Sequence, residues 1–535
     1  MNFCINVYIN QEAKYQQVIK KNSLKIQQYK NKSKRLLQKM PPALPTFQEH
    51  KKGYLALLGG FLIHIMIGTF YLWGNINIYV TSYLRYQKND VTTDILNSTF
   101  PFMGMTMGFM TPFGLDIAKK YGIQKTTFCC SLFFSLCAFV ASFQTDYLAF
   151  TLIYGLLSGI ASGIVYMIPY YVSYCHFPHH KGLASGVISA GFGFSTFVFS
   201  WIVYFIANPD NVHPIFNQIT QEMYFPDEIS VRIPGLFRTL SFIFVVIGGV
   251  GSYLCIPPPE DELHNQQEND NQLQNQLIDQ EQQDDKPAIY NECQDIRSGL
   301  QTPFIYISIL LMTLYGAQGN LIMDNFKPIG SQIGQFSDAY LTWVGSIGSL
   351  FNGFIRLLWG RALDKYGFKN LAFLNLSIEL FLMLTFYFAC QFQFTFIIWV
   401  LGIFACFGGW SAKVPALLAE IYGKKIGTMF YGITVQGFVV SCWMQFFIVQ
   451  NYRIKMGWFM IFMLYSVLIL IGLVITKYTN FHIDWQEFYS KRNKKQQSKQ
   501  HLNSLEEFQM SEIFDAAISD SKIQKNKFAK RASHE

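Results

Sequence analysis

The chain has 535 residues; 51% are hydrophobic, only 14% are charged, and the formal net charge is +8. Soluble domains carry roughly 25% charged residues, so this composition excludes a water-soluble globular protein. The basic excess sits at the chain ends, so it does not describe a nucleic-acid-binding surface either.

Charges crowd into the first 52 residues, the stretch 260–297 and the tail after residue 476. Between them lie uncharged runs of about 20 residues, the length that crosses a bilayer as a helix. Residues 1–53 form a basic segment containing "KNSLKIQQYKNKSKRLLQK". This segment has no apolar core of a cleavable signal peptide, so the first span is expected to serve as the targeting signal. Six spans are expected to begin near Tyr54, Ile95, Gln124, Tyr147, Gly182 and Phe237. "NST" at Asn97 to Thr99 matches a glycosylation acceptor, but its closeness to the membrane argues against use. Residues 257–302 read as a polar, Gln-rich disordered linker. Six more spans are expected near Pro303, Asp338, Asn370, Phe394, Ile426 and Gly457, followed by a polar tail at 477–535. The expected architecture is an all-α membrane protein of twelve helices, in two six-helix halves at 54–256 and 303–476.

Lysines set the orientation. The N-terminal segment, Lys119, Lys120 and Lys125 after the second span, and Lys424 and Lys425 after the tenth all fall on one side. The positive-inside rule makes that side cytoplasmic, with both termini and the linker; Arg453 and Lys455 fall opposite. The plasma membrane is the default location, with an internal membrane as the alternative.

The halves share a pattern of small residues. "SGIVYMIP" places Gly163 six residues before Pro169, and Gly182, Gly186 and Gly191 follow. "GGWSAKVP" places Gly409 six residues before Pro415, and Gly427, Gly432 and Gly437 follow. Glycine lets membrane helices approach closely, and a duplicated bundle around a midplane site is a transporter design. Chance in a glycine-rich membrane protein is the bland alternative.

The most specific motif is "GRALDKYGFK", between spans eight and nine. It resembles the loop motif of the major facilitator superfamily, with Gly360, Asp364, Lys365, Gly367 and Lys369 at the matching positions. In that family the acid caps a neighbouring helix, pairs with an arginine and holds one side shut. The first-half counterpart, "PFGLDIAKKYGIQK", keeps Asp116 but places it six residues before Gly122 rather than three. That copy is degenerate. "GTFYLWGNINIYVTSYL", "FPHHKGLASGVISAGFGFSTFVF" and "FNGFIRLLWGRALDKYG" are similar to spans one, five and eight of the oxalate/formate antiporters and monocarboxylate transporters. The resemblance covers most of residues 54–476. It implies the major facilitator fold and a substrate carboxylate held by the span-eight arginine, Arg356. Two departures stand out. The acid that monocarboxylate transporters carry four residues before that arginine is Asn352 here. The span-eleven lysine of oxalate transporters is absent, with Gln436 and Phe438 near its place.

Arg356 lies about 12 Å of helix before Asp364. It either faces the bundle interior or snorkels to the surface. Asn352, one turn away, would share its face. Lys413, inside span ten, is a second candidate cation, with snorkelling as its ordinary role. Tyr71, Trp73 and Asn75 in span one, Tyr166 in span four, and Gln318 and Asn320 in span seven offer polar edges for a substrate or for packing. His64, inside span one, offers either a proton relay near neutral pH or a hydrogen-bonded structural histidine, and the structural reading is preferred; Glu379, in mid-span nine where a charge is costly, reads as structural or protonated.

No metal or cofactor is expected. The ten cysteines lack ligand spacing, and no G-x-x-x-x-G-K-[ST] string points to ATP. No nucleophile and base set marks an enzyme. The expected function is secondary transport of a small organic anion by alternating access, with a coupling proton or counter-anion. A transporter of a neutral solute is the alternative, and a non-transporting membrane sensor or scaffold is a further one.

Overall fold

The computed structural model describes residues 44–259 and 292–492, apart from residues 49, 97, 211, 213, 220 and 221. The acceptor Asn97, most of the N-terminal segment, the core of the linker and the distal tail lie outside the described residues.

The expected twelve helices are present. In the first half they are α1 (Lys51–Tyr86), α2 (Thr99–Tyr121), α3 (Ile123–Ala141), α4 (Tyr147–His176), α5 (Lys181–Ala207) and α6 (Asp227–Leu254). In the second half they are α7 (Pro303–Ile333), α8 (Asp338–Tyr366), α9 (Phe368–Ala389), α10 (Gln393–Ile421), α11 (Lys424–Val449) and α12 (Lys455–Tyr478). Eleven are long and apolar enough to cross a membrane; α2, which ends in Asp116, Lys119 and Lys120, completes the set. α11 and α12 run on into each other except at Gly457, whose φ of +70° breaks the helix.

A short hairpin, β1 (Ile215–Asn217) with β2 (Glu222–Tyr224), joins α5 to α6 and marks one face of the bundle. The linker ends mark the other. At this linker face the tail does not leave the bundle at once. Residues 485–492 are helical, and Trp485 is buried, donating its indole N–H to the Ile421 carbonyl at 2.7 Å. Arg492 lies 3.5 Å from Asp295, which caps the short helix Ile296–Leu300. Hydrogen bonds from Ser298, with help from Arg492, hold the Asp295 carboxyl below its usual range.

The halves meet through two helix pairs. α5 packs on α8 and α2 on α11 because glycines remove the side chains that would keep the backbones apart. A Cβ on Gly360 would stand 2.3 Å from the Gly182 carbonyl, and one on Gly432 would stand 2.5 Å from the Pro112 nitrogen. Phe194 and Phe354 meet edge-to-face at 4.7 Å midway along α5 and α8.

Three helices are interrupted where they approach the molecular centre. α1 tightens to a 3-10 turn at Gly68–Leu72, α4 breaks at Met167 ahead of Pro169, and α11 breaks at Val435. Interruptions inside membrane helices are tolerated where they are buried in protein or line a cavity.

Candidate functional site

The interruptions surround a narrow cavity between the halves, with about 50 Å³ of room for water centres. The first half supplies Tyr71, Thr111, Tyr166 and Phe192; the second supplies Arg356, Phe407, Trp410, Ser411, Tyr431 and Phe438. The walls are largely apolar and rich in aromatic rings, and among the described residues Arg356 is the single basic side chain that lines them.

Arg356 is 1% exposed and faces the bundle interior. Its Nε and Nη2 donate to Asn352 Oδ1 at 3.1 and 2.8 Å, and its Nη1 donates to the Ser189 carbonyl of α5 at 2.8 Å. Asn352 is itself tied down, its Nδ2 donating to the Phe404 carbonyl of α10 at 2.6 Å. Asn352 therefore orients the guanidinium from behind. A guanidinium has five N–H donors in a plane. The three bonds leave two, one on each terminal nitrogen. That is the number a bidentate carboxylate contact uses.

The other residues anticipated for binding separate into two groups. Tyr71 and Tyr166 are on the wall. Tyr71 packs edge-on against Phe192 at 5.1 Å, and Tyr166 stacks across the interface on Tyr431 at 6.0 Å. Trp73 is elsewhere, packed against Phe150 and Tyr154 inside the first half. Asn75 is exposed and donates to Ser200 of α5 at 2.8 Å. Gln318 bonds to Glu379, and Asn320 ties α7 to α11 through Ser441 at 2.7 Å. Lys413 is fully buried behind the wall, between the rings of Trp359 and Trp410. The packing of α7 and α10 turns these polar groups into their own half. The aromatic rings around Lys413 also account for its staying inside, where snorkelling was the ordinary expectation.

Of the two sequence readings for His64, the environment is that of a packed side chain. Its Nδ1 pairs with the Gly60 carbonyl at 3.0 Å, and its ring lies 5.1 Å from that of Tyr166. Sequence reasoning passed over Thr111, Ser411, Trp410 and Tyr431. A signal for Tyr431 was available, since it precedes Gly432, a contact glycine of the duplicated pattern.

At the linker face, both Asp364 oxygens accept backbone N–H bonds from the start of α5, Gly182 and Leu183, each at 2.8 Å. Carboxylates are favoured at helix N-termini. The acid thus caps a helix of the opposite half, and among the described residues its hydrogen-bond partners are backbone groups rather than an arginine. Gly360 seats against Gly182, and Gly367, with φ of +76°, makes the turn into α9. Lys369 donates to the Thr479 carbonyl at 3.1 Å, while Lys365 lies over the neighbouring Tyr366 ring. Asp116 makes none of these cap contacts. It is exposed on α2, and the start of α11 opposite carries Lys424 and Lys425 after Gly423. The altered spacing noted in the sequence leaves the two loops unequal. Lys181 adds a further contact across the halves, donating to the Ala419 carbonyl at 3.2 Å.

Comparison with known proteins agrees with this architecture. The chain is 24% identical over 441 residues to apicoplast pyruvate carrier 1 of Toxoplasma gondii, covering 71% of this chain and 80% of that protein. Its fold is similar to that of a proton:xylose symporter solved with 6-bromo-6-deoxy-D-glucose, with a TM-score of 0.56 at 14% identity, covering 80% of this chain and 95% of the other. The sequence pattern of the Major Facilitator Superfamily matches residues 56–432, from α1 into α11, and with twelve helices in two glycine-paired halves the chain belongs to that superfamily of membrane transporters.

Proposed function

We propose that the chain is a secondary transporter of a small organic anion, a monocarboxylate in the simplest case, working by alternating access. The observation that carries this reading is Arg356: a buried cation on the cavity wall, pre-oriented by Asn352 and retaining two N–H donors. A cation inside a membrane bundle is costly and marks a pathway. The surrounding rings suit a short apolar body behind a charged head. The room in the cavity corresponds to roughly three to five waters, which fits a few-carbon acid better than a hexose. The relative named as a pyruvate carrier supports the same substrate class. The neutral-solute alternative has the sugar-bound symporter in its favour, but at 14% identity that likeness concerns the fold.

A counterflow screen in proteoliposomes tests the reading. Pyruvate, lactate, formate and oxalate are set against glucose and neutral amino acids. Exchange of a carboxylate is the expected result; exchange confined to neutral solutes would replace this reading with the alternative.

In this state the linker face is closed by Asp364, Gly360 and Gly182, which we assign as the gate, with Lys365, Gly367 and Lys369 shaping its loop. We place that face in the cytoplasm, because Lys119, Lys120, Lys125, Lys424 and Lys425 lie there. Tags at residues 1 and 535 should survive protease added to sealed cells. Digestion of either would reverse the orientation.

A further inference from the structure

Behind the cavity wall, α7, α8, α9 and α10 hold a second charged cluster that anion binding at Arg356 leaves unexplained. Trp410 is shared between the two. It lines the cavity, and one face of its indole stacks on Tyr315 at 3.8 Å with 12° between the planes. Lys413 Nζ lies 4.1 Å from the centroid of the same indole and 4.2 Å from that of Trp359. Cation–π contact with two rings can hold an ammonium away from water. The Trp410 N–H donates to Glu379 Oε1 at 2.9 Å, Asn375 Nδ2 donates to the same oxygen at 2.9 Å, and Gln318 Nε2 donates to Oε2. Glu379 is 2% exposed in the middle of α9, and its charge and that of Lys413 act on each other.

The hydrogen bonding around Glu379 is incomplete in a specific way. Among the described residues, Gln318 Oε1, Asn375 Oδ1 and Lys413 Nζ are buried without a hydrogen-bond partner. The first two belong to the residues whose amide nitrogens donate to Glu379. An ionised Glu379 uses those donors. A protonated Glu379 carries an O–H, and a turn of either amide presents an oxygen to accept it, at the loss of the bond that its NH2 also makes to the Tyr315 or Cys406 carbonyl, at 3.1 and 3.3 Å. Both protonation states therefore find partners in the same pocket.

Charge balance then links this pocket to the cavity. With Glu379 ionised, it compensates Lys413, and Arg356 is the remaining cation. With Glu379 protonated, Lys413 is also uncompensated, separated from the cavity by the Trp410 ring. An anion in the cavity answers that charge. Proton and anion thus each favour the other, and such coupling is reciprocal. The other titratable groups whose fields meet Glu379 are Cys406 of α10 and Tyr315 of α7, whose hydroxyl is bonded to Thr476. α8 brings Trp359 to the cluster, and α12 sets Phe462 against Phe386 of α9; neither side chain titrates.

We propose that Glu379, acting through Lys413 and Trp410, is the proton-binding group that couples transport of a monoanion to one proton. At loading an O–H bond forms on the Glu379 carboxylate with a proton from solution. At release that bond breaks, and the proton leaves on the side where the anion leaves, so the step is electroneutral. The inference rests on the carboxylate reading above.

Purified protein in liposomes, with radiolabelled pyruvate as probe, separates the two. Pyruvate counterflow without an imposed gradient reads the carboxylate assignment. Accumulation driven by a pH gradient, and the pH dependence of pyruvate binding, read the proton assignment. Wild-type binding should tighten on the order of tenfold between about pH 8 and about pH 6, and an acid exterior should drive accumulation. Glu379→Gln should keep counterflow, lose gradient-driven accumulation and bind pyruvate independently of pH. Proton-driven accumulation by Glu379→Gln would overturn the proposal. So would a wild type that exchanges pyruvate in counterflow but does not accumulate it under a pH gradient, with the carboxylate reading left standing. Loss of carboxylate counterflow in the wild type would overturn both. Should Glu379→Gln fail to fold, Trp410→Phe provides a second reading. It keeps an aromatic stack but removes an N–H that favours the ionised carboxylate, so the pH midpoint of binding should move upward. An unmoved midpoint would count against the assignment.

Discussion

Arg356→Gln is expected to lower anion uptake at least about thirtyfold, because breaking a buried, hydrogen-bonded charge pair costs about 2–5 kcal/mol. The variant keeps a single amide NH2 where the guanidinium supplies bonds to Asn352, Ser189 and the substrate together. It also leaves the substrate carboxylate without a counter-charge in a cavity lined, among the described residues, by no other basic side chain. Arg356→Lys retains the charge but not the planar fork, so weak residual uptake is expected. Uptake is to be measured beside thermal-shift titration of the purified variants. Folding and delivery to the membrane should be unchanged, and substrate-induced stabilisation should vanish in the Gln variant. Full stabilisation of Arg356→Gln by the carboxylate would remove Arg356 from the binding site.

Asp364→Asn is expected to slow turnover far more than it weakens binding. Asp364 touches backbone at the start of α5 and no cavity-lining group. An asparagine accepts one of the two N–H bonds, turns its own NH2 toward the other, and no longer offers a charge to the helix terminus. The lost contacts are worth about 3 kcal/mol to the state closed at the linker face, which shifts the balance between the two access states by roughly a hundredfold. The gate must re-form in every cycle, so the expected result is a turnover reduced at least about tenfold with substrate dissociation constants within about threefold of wild type. The check is turnover from counterflow beside equilibrium binding. Normal turnover with a raised dissociation constant would instead place Asp364 in substrate binding.

Much of the fold was legible because the properties that define it are local in the chain. A span is a length of apolar residues, and the expected starts fall within a few residues of the observed helices except the sixth, where Phe237 lies well inside α6, which begins at Asp227. The repeated glycines pointed to close helix approach, and the structure puts two such approaches between the halves, Gly182 against Gly360 of the loop motif and Gly432 against Pro112. The loop "GRALDKYGFK" identified Asp364 because its spacing puts the acid at a helix end beside a turn that requires Gly367. Arg356 was conspicuous as a cation in an apolar run.

The orientation of each polar side chain was not legible in the same way. Trp73, Gln318, Asn320 and Lys413 stand in helices that are apolar on all sides, so no polar stripe distinguishes a cavity face from a packed one. The stretch from Ser308 to Asn320 of α7 serves a helix contact, the cavity wall and a buried carboxylate in turn. Neighbours up to 167 residues away in sequence complete the Arg356 site. By itself the sequence determined the number of spans, the duplicated halves and the exceptional arginine, since each follows from hydrophobic length, glycine spacing or a charge out of place. Only the tertiary structure decided that Tyr166, Tyr431 and Arg356 share one cavity while Lys413 and Glu379 stand behind its wall. That outcome depends on the rotation of each helix about its axis, which is set by packing against helices distant in the chain.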